Sequence, residues 1–307
     1  MELNTLTAAA AQAGCTVTPQ ASMAALTTLR IGGAADVLIR LPDAAAAAAV
    51  LRVCRDTDTP WLLLGNGSNL LVGDRGIRGA VLQLSGGGTP ALLSDGCRLH
   101  CAAGVPLSRL CIFARDRSLS GLEFAFGIPG TLGGAVYMNA GAYGGEMAQI
   151  VEKVEGVTAG GEPVELSAAA LSFDYRHSAL MTDAADEAVI VTGVTLRLTP
   201  GRKEAITVRM RELMQRRQEK QPLEYPSAGS FFKRPEGHYA GALIEQAGLK
   251  GCRIGGAQIS EKHAGFLINR GGATAADVTA LCRHVQDTVL ERSGIRLEPE
   301  VRFVGQF

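Results

Sequence analysis

Seven of the twenty residues in Phe126–Gly145 (FGIPGTLGGAVYMNAGAYGG) are glycine. Such a stretch is a poor helix or strand throughout, since each glycine costs roughly 0.5–1 kcal/mol relative to alanine inside either element. Glycine is useful where the backbone must turn sharply or lie directly against another surface. A second stretch, Leu62–Leu70 (LLLGNGSNL), runs an apolar segment straight into Gly65-Asn66-Gly67-Ser68-Asn69. The whole chain has 38 glycines in 307 residues, without a Gly-X-Y period, so a collagen-like fold is excluded. Hydrophobic residues make up 47% and are spread along the chain, which excludes disorder. Tight turns and close backbone approaches to a ligand remain as the cause of the glycine excess.

Lys plus Arg number 30 and Asp plus Glu number 30, so the formal charge is zero. A dedicated nucleic-acid binder usually carries a basic excess, and none is present. No apolar run reaches the roughly 18 residues of a membrane span. MELNTLTAAAAQAGC lacks the basic start and long apolar core of a signal peptide. The seven cysteines include no Cys-x-x-Cys pair, which suits reduced thiols in a cytoplasmic protein. His100 beside Cys97 and Cys101 reads as strand packing, so no metal site is expected.

The length suits two or three domains. Asp43 caps a helical pattern over 42–56, Trp61–Leu64 is a short buried strand, and further strands fall near 80–84, 98–102, 151–157 and 188–198. A helix is expected over about 106–118. Thr207–Lys220 is a basic helix with few apolar positions, expected as a solvated connection. A new unit begins at Pro222, with a helix near 240–247. A long helix starts at Thr274 on a capping-box pattern and stops at Gly294. Val278, Leu281, Cys282, Val285, Val289 and Leu290 form its expected apolar face. A last strand, 295–304, is expected to pair back with an earlier domain.

The Gly65–Asn69 loop suits a phosphate or a plain hairpin turn equally. It lacks the Gly-Lys-Ser/Thr of a Walker loop, and Leu70 stands where a Rossmann fingerprint has its third glycine. The Phe126–Gly145 stretch is either a ligand platform or a multi-turn loop. Together the two loops fit a dinucleotide whose pyrophosphate is held by backbone donors, which agrees with the neutral charge. Three scattered groups stand out besides: Asp174-Tyr175-Arg176-His177-Ser178, Ser227–Pro235 (SAGSFFKRP) and Leu297–Val301 (LEPEV). Each is weak alone, although the serine loop with its two cations suits an anionic substrate.

Taken together, Thr28–Gly33 (TLRIGG), LLLGNGSNLLV, GIPGTLGGAVYMNAGAYG, FDYRHS, PSAGSFFKRP and EPEVRFVG occur in the order of the UDP-N-acetylenolpyruvoylglucosamine reductase family, and the chain resembles that family over nearly its whole length. The resemblance is to the shorter, second type. It implies an α+β fold: a two-subdomain FAD-binding fold of the vanillyl-alcohol oxidase type plus a C-terminal α+β substrate-binding domain. The corresponding divisions are 1–85 with the terminal strand 296–307, then 86–221, then 222–295. It implies a monomer in the cytoplasm, acting on UDP-GlcNAc-enolpyruvate with NADPH as hydride donor, with no nucleic-acid or membrane partner.

The implied chemistry has two half-reactions. NADPH reduces FAD, and reduced FAD then gives hydride to the vinyl carbon of the enolpyruvyl group, forming UDP-N-acetylmuramate. By this resemblance Arg176 stabilises the enediolate, Glu300 joins it as a hydrogen-bonding partner able to act as a neutral acid, and Ser230 delivers the proton. Arg30, Gly65, Asn66, Gly67, Ser68, Asn69, Ile128, Pro129, Gly130, Thr131, Gly133, Gly134, Asn139, Gly141 and Arg302 would hold FAD. Tyr175, Lys233 and Arg234 would hold the substrate carboxylate or phosphates. Arg30-Ile31-Gly32-Gly33 is followed by Ala34, where related covalent flavoproteins carry His, so FAD is expected to be non-covalent. An oxygen-using FAD oxidase of the same fold and a non-catalytic nucleotide-binding module are the competing readings.

Overall fold

The computed structural model describes residues 2–86, 90–93, 95–182 and 184–307. Gly86-Gly87-Gly88, which the sequence assigns to a turn, lies largely outside the described residues. The chain forms two compact units, each assembled from three segments. The first comprises Met1–Pro19, Val37–Asn66 and Gly79–Arg216, and the second comprises Gln20–Asp36, Gly67–Arg78 and Arg217–Phe307.

Two sheets organise the first unit. In one, Trp61–Leu64 runs parallel to Ile77–Leu84, with Leu64 opposite Gln83. Helix Ala44–Asp56 covers it. Its start is fixed by Asp43, whose Oδ1 accepts the Ala46 N–H at 2.9 Å. The helix buries Ala47, Val50, Leu51 and Cys54 on one face, in a core with Leu6, Val37, Ile39, Ala80 and Leu82. The other sheet is five-stranded and antiparallel, in the order Pro163–Ser167, Val151–Thr158, Val189–Arg197, Arg98–Ala102, Ala91–Leu92. Leu99 and Cys101 alternate inward with Val194 and Leu196, under helix Leu107–Asp116. Alternation also turns His100 to the opposite face from Cys101. There His100 Nδ1 lies 3.4 Å from Thr195 Oγ1, while burial pushes the Cys101 thiol up to about 12.

The second unit is built on a four-stranded sheet in the order Ser227–Ser230, Phe266–Asn269, Ala257–Ile259, Arg253–Ile254. Helix Ala275–Ser293 packs on it. Thr274 and Asp277 form the expected capping box, and Gly294 ends the helix at φ 72°. Asp74 adds two further caps, accepting the N–H groups of Ala275 and Ala276 at 2.7 and 3.0 Å. Val278, Leu281, Cys282, Val285 and Val289 are buried, but Leu290 is 43% exposed and does not belong to the apolar face. It sits one position past Val289, which rotates it about 100° off the buried stripe.

Two further expectations need adjustment. The terminal strand covers only Arg302–Val304, pairing parallel with Leu70–Val72. Upstream, Pro299 bridges Phe232 instead, with Glu300 N–H donating to Phe231 O and Lys233 N–H to Glu298 O. The basic helix is longer than expected, Lys203–Lys220, and not wholly solvated. Ile206, Met210 and Leu213 recur at helical spacing and are buried. Among the described residues, no helix is long and apolar enough to cross a membrane.

Candidate active site

In the first unit the two glycine stretches touch. Asn66 Nδ2 donates to Pro129 O at 2.8 Å, and Gln83 Nε2 donates to Gly65 O at 3.0 Å while Gln83 Oε1 accepts from Arg40 Nε at 3.3 Å. A Cβ on Gly65 would stand 2.9 Å from Thr131 Oγ1, so only glycine allows this approach. Thr131 caps helix Leu132–Tyr137, accepting the Gly134 N–H at 3.4 Å. Among the described residues no acceptor takes the amide N–H of Asn66 or Thr131.

The glycines of Phe126–Gly145 divide into two kinds. Gly133 packs on Ala103, where a Cβ would come within 2.9 Å, and Gly145 packs on Phe124, at 2.5 Å. These two serve internal packing. A Cβ on Gly130 would meet nothing closer than 3.7 Å, and one on Gly134 only Thr131 Oγ1 at 3.3 Å. These two leave backbone exposed beside Thr131. Ile128 packs against the adjoining core and Pro129 is exposed.

The Asp174–Ser178 segment docks on the far end of the same stretch. Asp174 and His177 exchange backbone hydrogen bonds at 3.1 Å in both directions, closing a two-residue turn. Arg176 occupies its second position at φ 54°, a left-handed conformation uncommon outside glycine. Arg176 Nη2 donates to Gly141 O at 3.0 Å, and its guanidinium lies 5.3 Å from the Tyr175 ring centre. Tyr175 is 47% exposed.

The second unit holds the other residues. Gly67, at φ 61°, sits so close to Leu26 and Thr27 that its Cβ would fall 2.2 Å from Leu26 O. Its carbonyl accepts the Thr28 N–H at 3.1 Å. Gly67 is buried, yet among the described residues neither its N–H nor that of Ser68 has an acceptor. Asn69 Nδ2 donates to Glu300 O at 3.0 Å, and Asn69 O accepts the Arg302 N–H at 3.0 Å. Asn69 thereby ties the start of the Gly67–Arg78 segment to the LEPEV segment. Arg30, at φ 56°, is exposed. Ser230 follows Gly229 at φ 79°, where the pairing of Ser227–Ser230 with Phe266–Asn269 shifts register, and its side chain faces solvent. Glu300 N–H donates to Phe231 O, the carbonyl of the residue that follows Ser230. Lys233 pairs with Glu298 at 2.9 Å, and Arg234 lies 4.5 Å over the Tyr239 ring. Arg176 is in the first unit, whereas Ser230 and Glu300 are in the second.

Residues 221–304 match the family described as UDP-N-acetylenolpyruvoylglucosamine reductase, C-terminal domain, and residues 35–167 match an FAD binding domain. A UDP-N-acetylenolpyruvoylglucosamine reductase of Agathobacter rectalis is 48% identical over 292 residues, spanning 92% of this chain and 91% of the relative. One from Caldanaerobacter subterraneus is 47% identical, spanning 91% of each. The chain belongs to the UDP-N-acetylenolpyruvoylglucosamine reductase family. The crystal structure of the Thermus caldophilus reductase superposes with a TM-score of 0.79 at 38% identity, covering 94% of this chain and 98% of that one. The protein is thus a flavin-dependent oxidoreductase with an α+β FAD-binding domain and the reductase C-terminal domain.

The residues present suit FAD. A buried N–H without a partner costs free energy, and Gly67 has one. Ser68 in the same unit, and separately Asn66 and Thr131 in the first unit, have N–H groups of the type that hold a pyrophosphate without cationic side chains. Asn139, expected from the family resemblance as an FAD contact, is 1% exposed, and its carboxamide is engaged by backbone at both ends. Sequence reasoning missed three supports: Gln83 under Gly65, Asp74 on the long helix, and Glu298 beside Lys233. Each pairing is between residues distant in sequence, and only the run of charge in LEPEV hinted at the last.

Proposed function

We propose that the protein reduces the enolpyruvyl group of UDP-GlcNAc-enolpyruvate to UDP-N-acetylmuramate, with NADPH as the electron source. FAD, when bound, supplies the hydride relay between nicotinamide and substrate. The chain's own residues hold it through the Gly65–Asn69 amides, Thr131 and the open backbone at Gly130 and Gly134, with Arg30 and Arg302 as flanking cations. They also manage the charge that develops on the substrate. Reduction of the vinyl carbon leaves carbanion character beside the carboxylate, spread as an enediolate. Arg176 offsets that charge, which is where fixed cations contribute most to rate. Glu300 hydrogen-bonds in the same constellation.

Ser230 gives its hydroxyl proton to the carbon. A serine is a weak acid, so the step depends on a strongly basic, adjacent carbanion. Tyr175, Lys233 and Arg234 serve the carboxylate and phosphates. The Lys233–Glu298 pair is exposed, and such pairs are worth little, so Lys233 can exchange Glu298 for a phosphate at small cost. In this reading the FAD regions are 1–85 with 296–307 and 86–221, the substrate region is 222–295, and the enzyme is a cytoplasmic monomer.

The observation that carries the reading is Arg176, held left-handed with its guanidinium on a carbonyl of the glycine stretch. Ser230→Ala tests it. Flavin reduction by NADPH should be nearly unchanged, while reoxidation by UDP-GlcNAc-enolpyruvate should slow by roughly 10²–10⁴-fold. Equal losses in both half-reactions would remove Ser230 from the proton-donor role.

A further inference from the structure

We infer that Asn139 is a positioning residue for Arg176, its carboxamide fixing the arginine turn to the glycine stretch. The inference rests on the catalytic role proposed above for Arg176. Asn139 Nδ2 donates to Asp174 O at 2.9 Å, and Asn139 Oδ1 accepts the Ala148 N–H at 2.9 Å. The two partners determine the amide orientation, because a flipped amide would set oxygen against oxygen and N–H against N–H. Asn139 is 1% exposed, so its carboxamide offers no surface to a ligand. Its φ of 42° turns the chain out of helix Leu132–Tyr137, a conformation in which asparagine is enriched.

A second tie closes the arrangement. Fully buried Ser178 donates its hydroxyl to Tyr137 O at 2.7 Å. The Asp174–His177 turn is therefore held at one end by Asn139 and just past the other by Ser178. Both ties lead to the segment whose Gly141 carbonyl receives Arg176 Nη2. A left-handed arginine persists only where its surroundings over-determine it, and these contacts do so. Asn139 thus acts on the reaction through Arg176, without touching substrate or flavin.

Asn139→Asp in the FAD-loaded enzyme tests this. The ionised carboxylate keeps the Ala148 N–H but faces the Asp174 carbonyl, whereas the protonated form can donate to it. Burial raises a carboxyl pKa, so lowering the pH from about 8.5 to about 6 should restore the missing bond. Stopped-flow absorbance should show flavin reduction by NADPH within about twofold of wild type, and reoxidation by UDP-GlcNAc-enolpyruvate slowed roughly 10- to 100-fold at the higher pH, the scale expected of a misplaced catalytic group. The slow step should recover on acidification, in a profile that wild type lacks. Amide exchange at His177 should accelerate in parallel.

Wild-type reoxidation and exchange in the variant would overturn the inference. So would equal slowing of both half-reactions with weakened flavin binding, which would assign Asn139 to the cofactor. If Asn139→Asp does not fold, Ser178→Ala decides. Selective slowing of reoxidation supports the clamp, and unchanged reoxidation refutes it. Arg176→Gln runs alongside: reoxidation unaffected by that change would sink the role of Arg176 itself, independently of Asn139.

Discussion

Gly67→Ala separates backbone geometry from simple glycine content. Alanine at φ 61° meets the left-handed penalty of roughly 1–2 kcal/mol. Its Cβ would also lie 2.2 Å from Leu26 O and 2.9 Å from Thr27 Cα, both backbone atoms that have no rotamer to change. Such overpacking costs about 1–3 kcal/mol, so the total destabilisation is about 2–5 kcal/mol. The strain is relieved only if the loop moves, which would break the bond from Thr28 N–H to Gly67 O and displace the amides of Gly67 and Ser68.

Gly14→Ala is the matched control. Gly14 has φ 77°, but nothing lies within 4 Å of its Cβ, so only the left-handed penalty applies. Urea unfolding of the apo-protein reads the stability difference, and flavin fluorescence titration reads FAD affinity. Gly14→Ala should cost about 1–2 kcal/mol and leave FAD affinity unchanged. Gly67→Ala should cost more and weaken FAD at least about tenfold, equivalent to 1.4 kcal/mol. If the two variants behave alike in both assays, the claim that Gly67 shapes the FAD loop is wrong.

Three other consequences are direct. Burial holds the His263 imidazole below its ordinary 6.5, and its Nδ1 accepts the Gly265 N–H at 3.1 Å, which requires the neutral ring. Stability from this site is therefore complete above about pH 6.5 and is lost as pH falls from there through the folded pKa; urea titrations should show that loss in wild type and its absence in His263→Asn. Thr274→Ala removes the acceptor of the Asp277 N–H at 3.0 Å and should cost about 1 kcal/mol in the same assay. Because Ala34 follows Gly33, acid precipitation should release all the flavin into the supernatant; flavin retained on the pellet would contradict non-covalent binding.

Local signals were legible wherever one residue decides the outcome. Asp43, the Thr274–Asp277 box and Gly294 each act within four residues, and the helices begin and end where they indicate. The buried strand Trp61–Leu64 was legible because a glycine loop stops it abruptly. Strand Phe266–Asn269 was not: all four residues are buried, so it shows no alternation and is too short to separate from other apolar runs. Leu290 fitted the helical period but sits at its edge, where exposure depends on the neighbouring element. The glycines of Phe126–Gly145 announced a special backbone, yet nothing in the sequence distinguishes Gly133, packed on Ala103, from Gly134, which is open. Likewise the sequence offers Asn139 only as an FAD contact, and its partners Ala148 and Asp174 are brought to it by the fold.

The central claim is that this chain passes electrons from NADPH through FAD to an enolpyruvyl ether. Anaerobic absorbance spectroscopy of the purified holoenzyme tests it most directly. NADPH should bleach the oxidised-flavin band, and UDP-GlcNAc-enolpyruvate should restore it within one turnover, faster than oxygen does. A bleached flavin that oxygen reoxidises readily and the enolpyruvyl substrate does not would contradict the account.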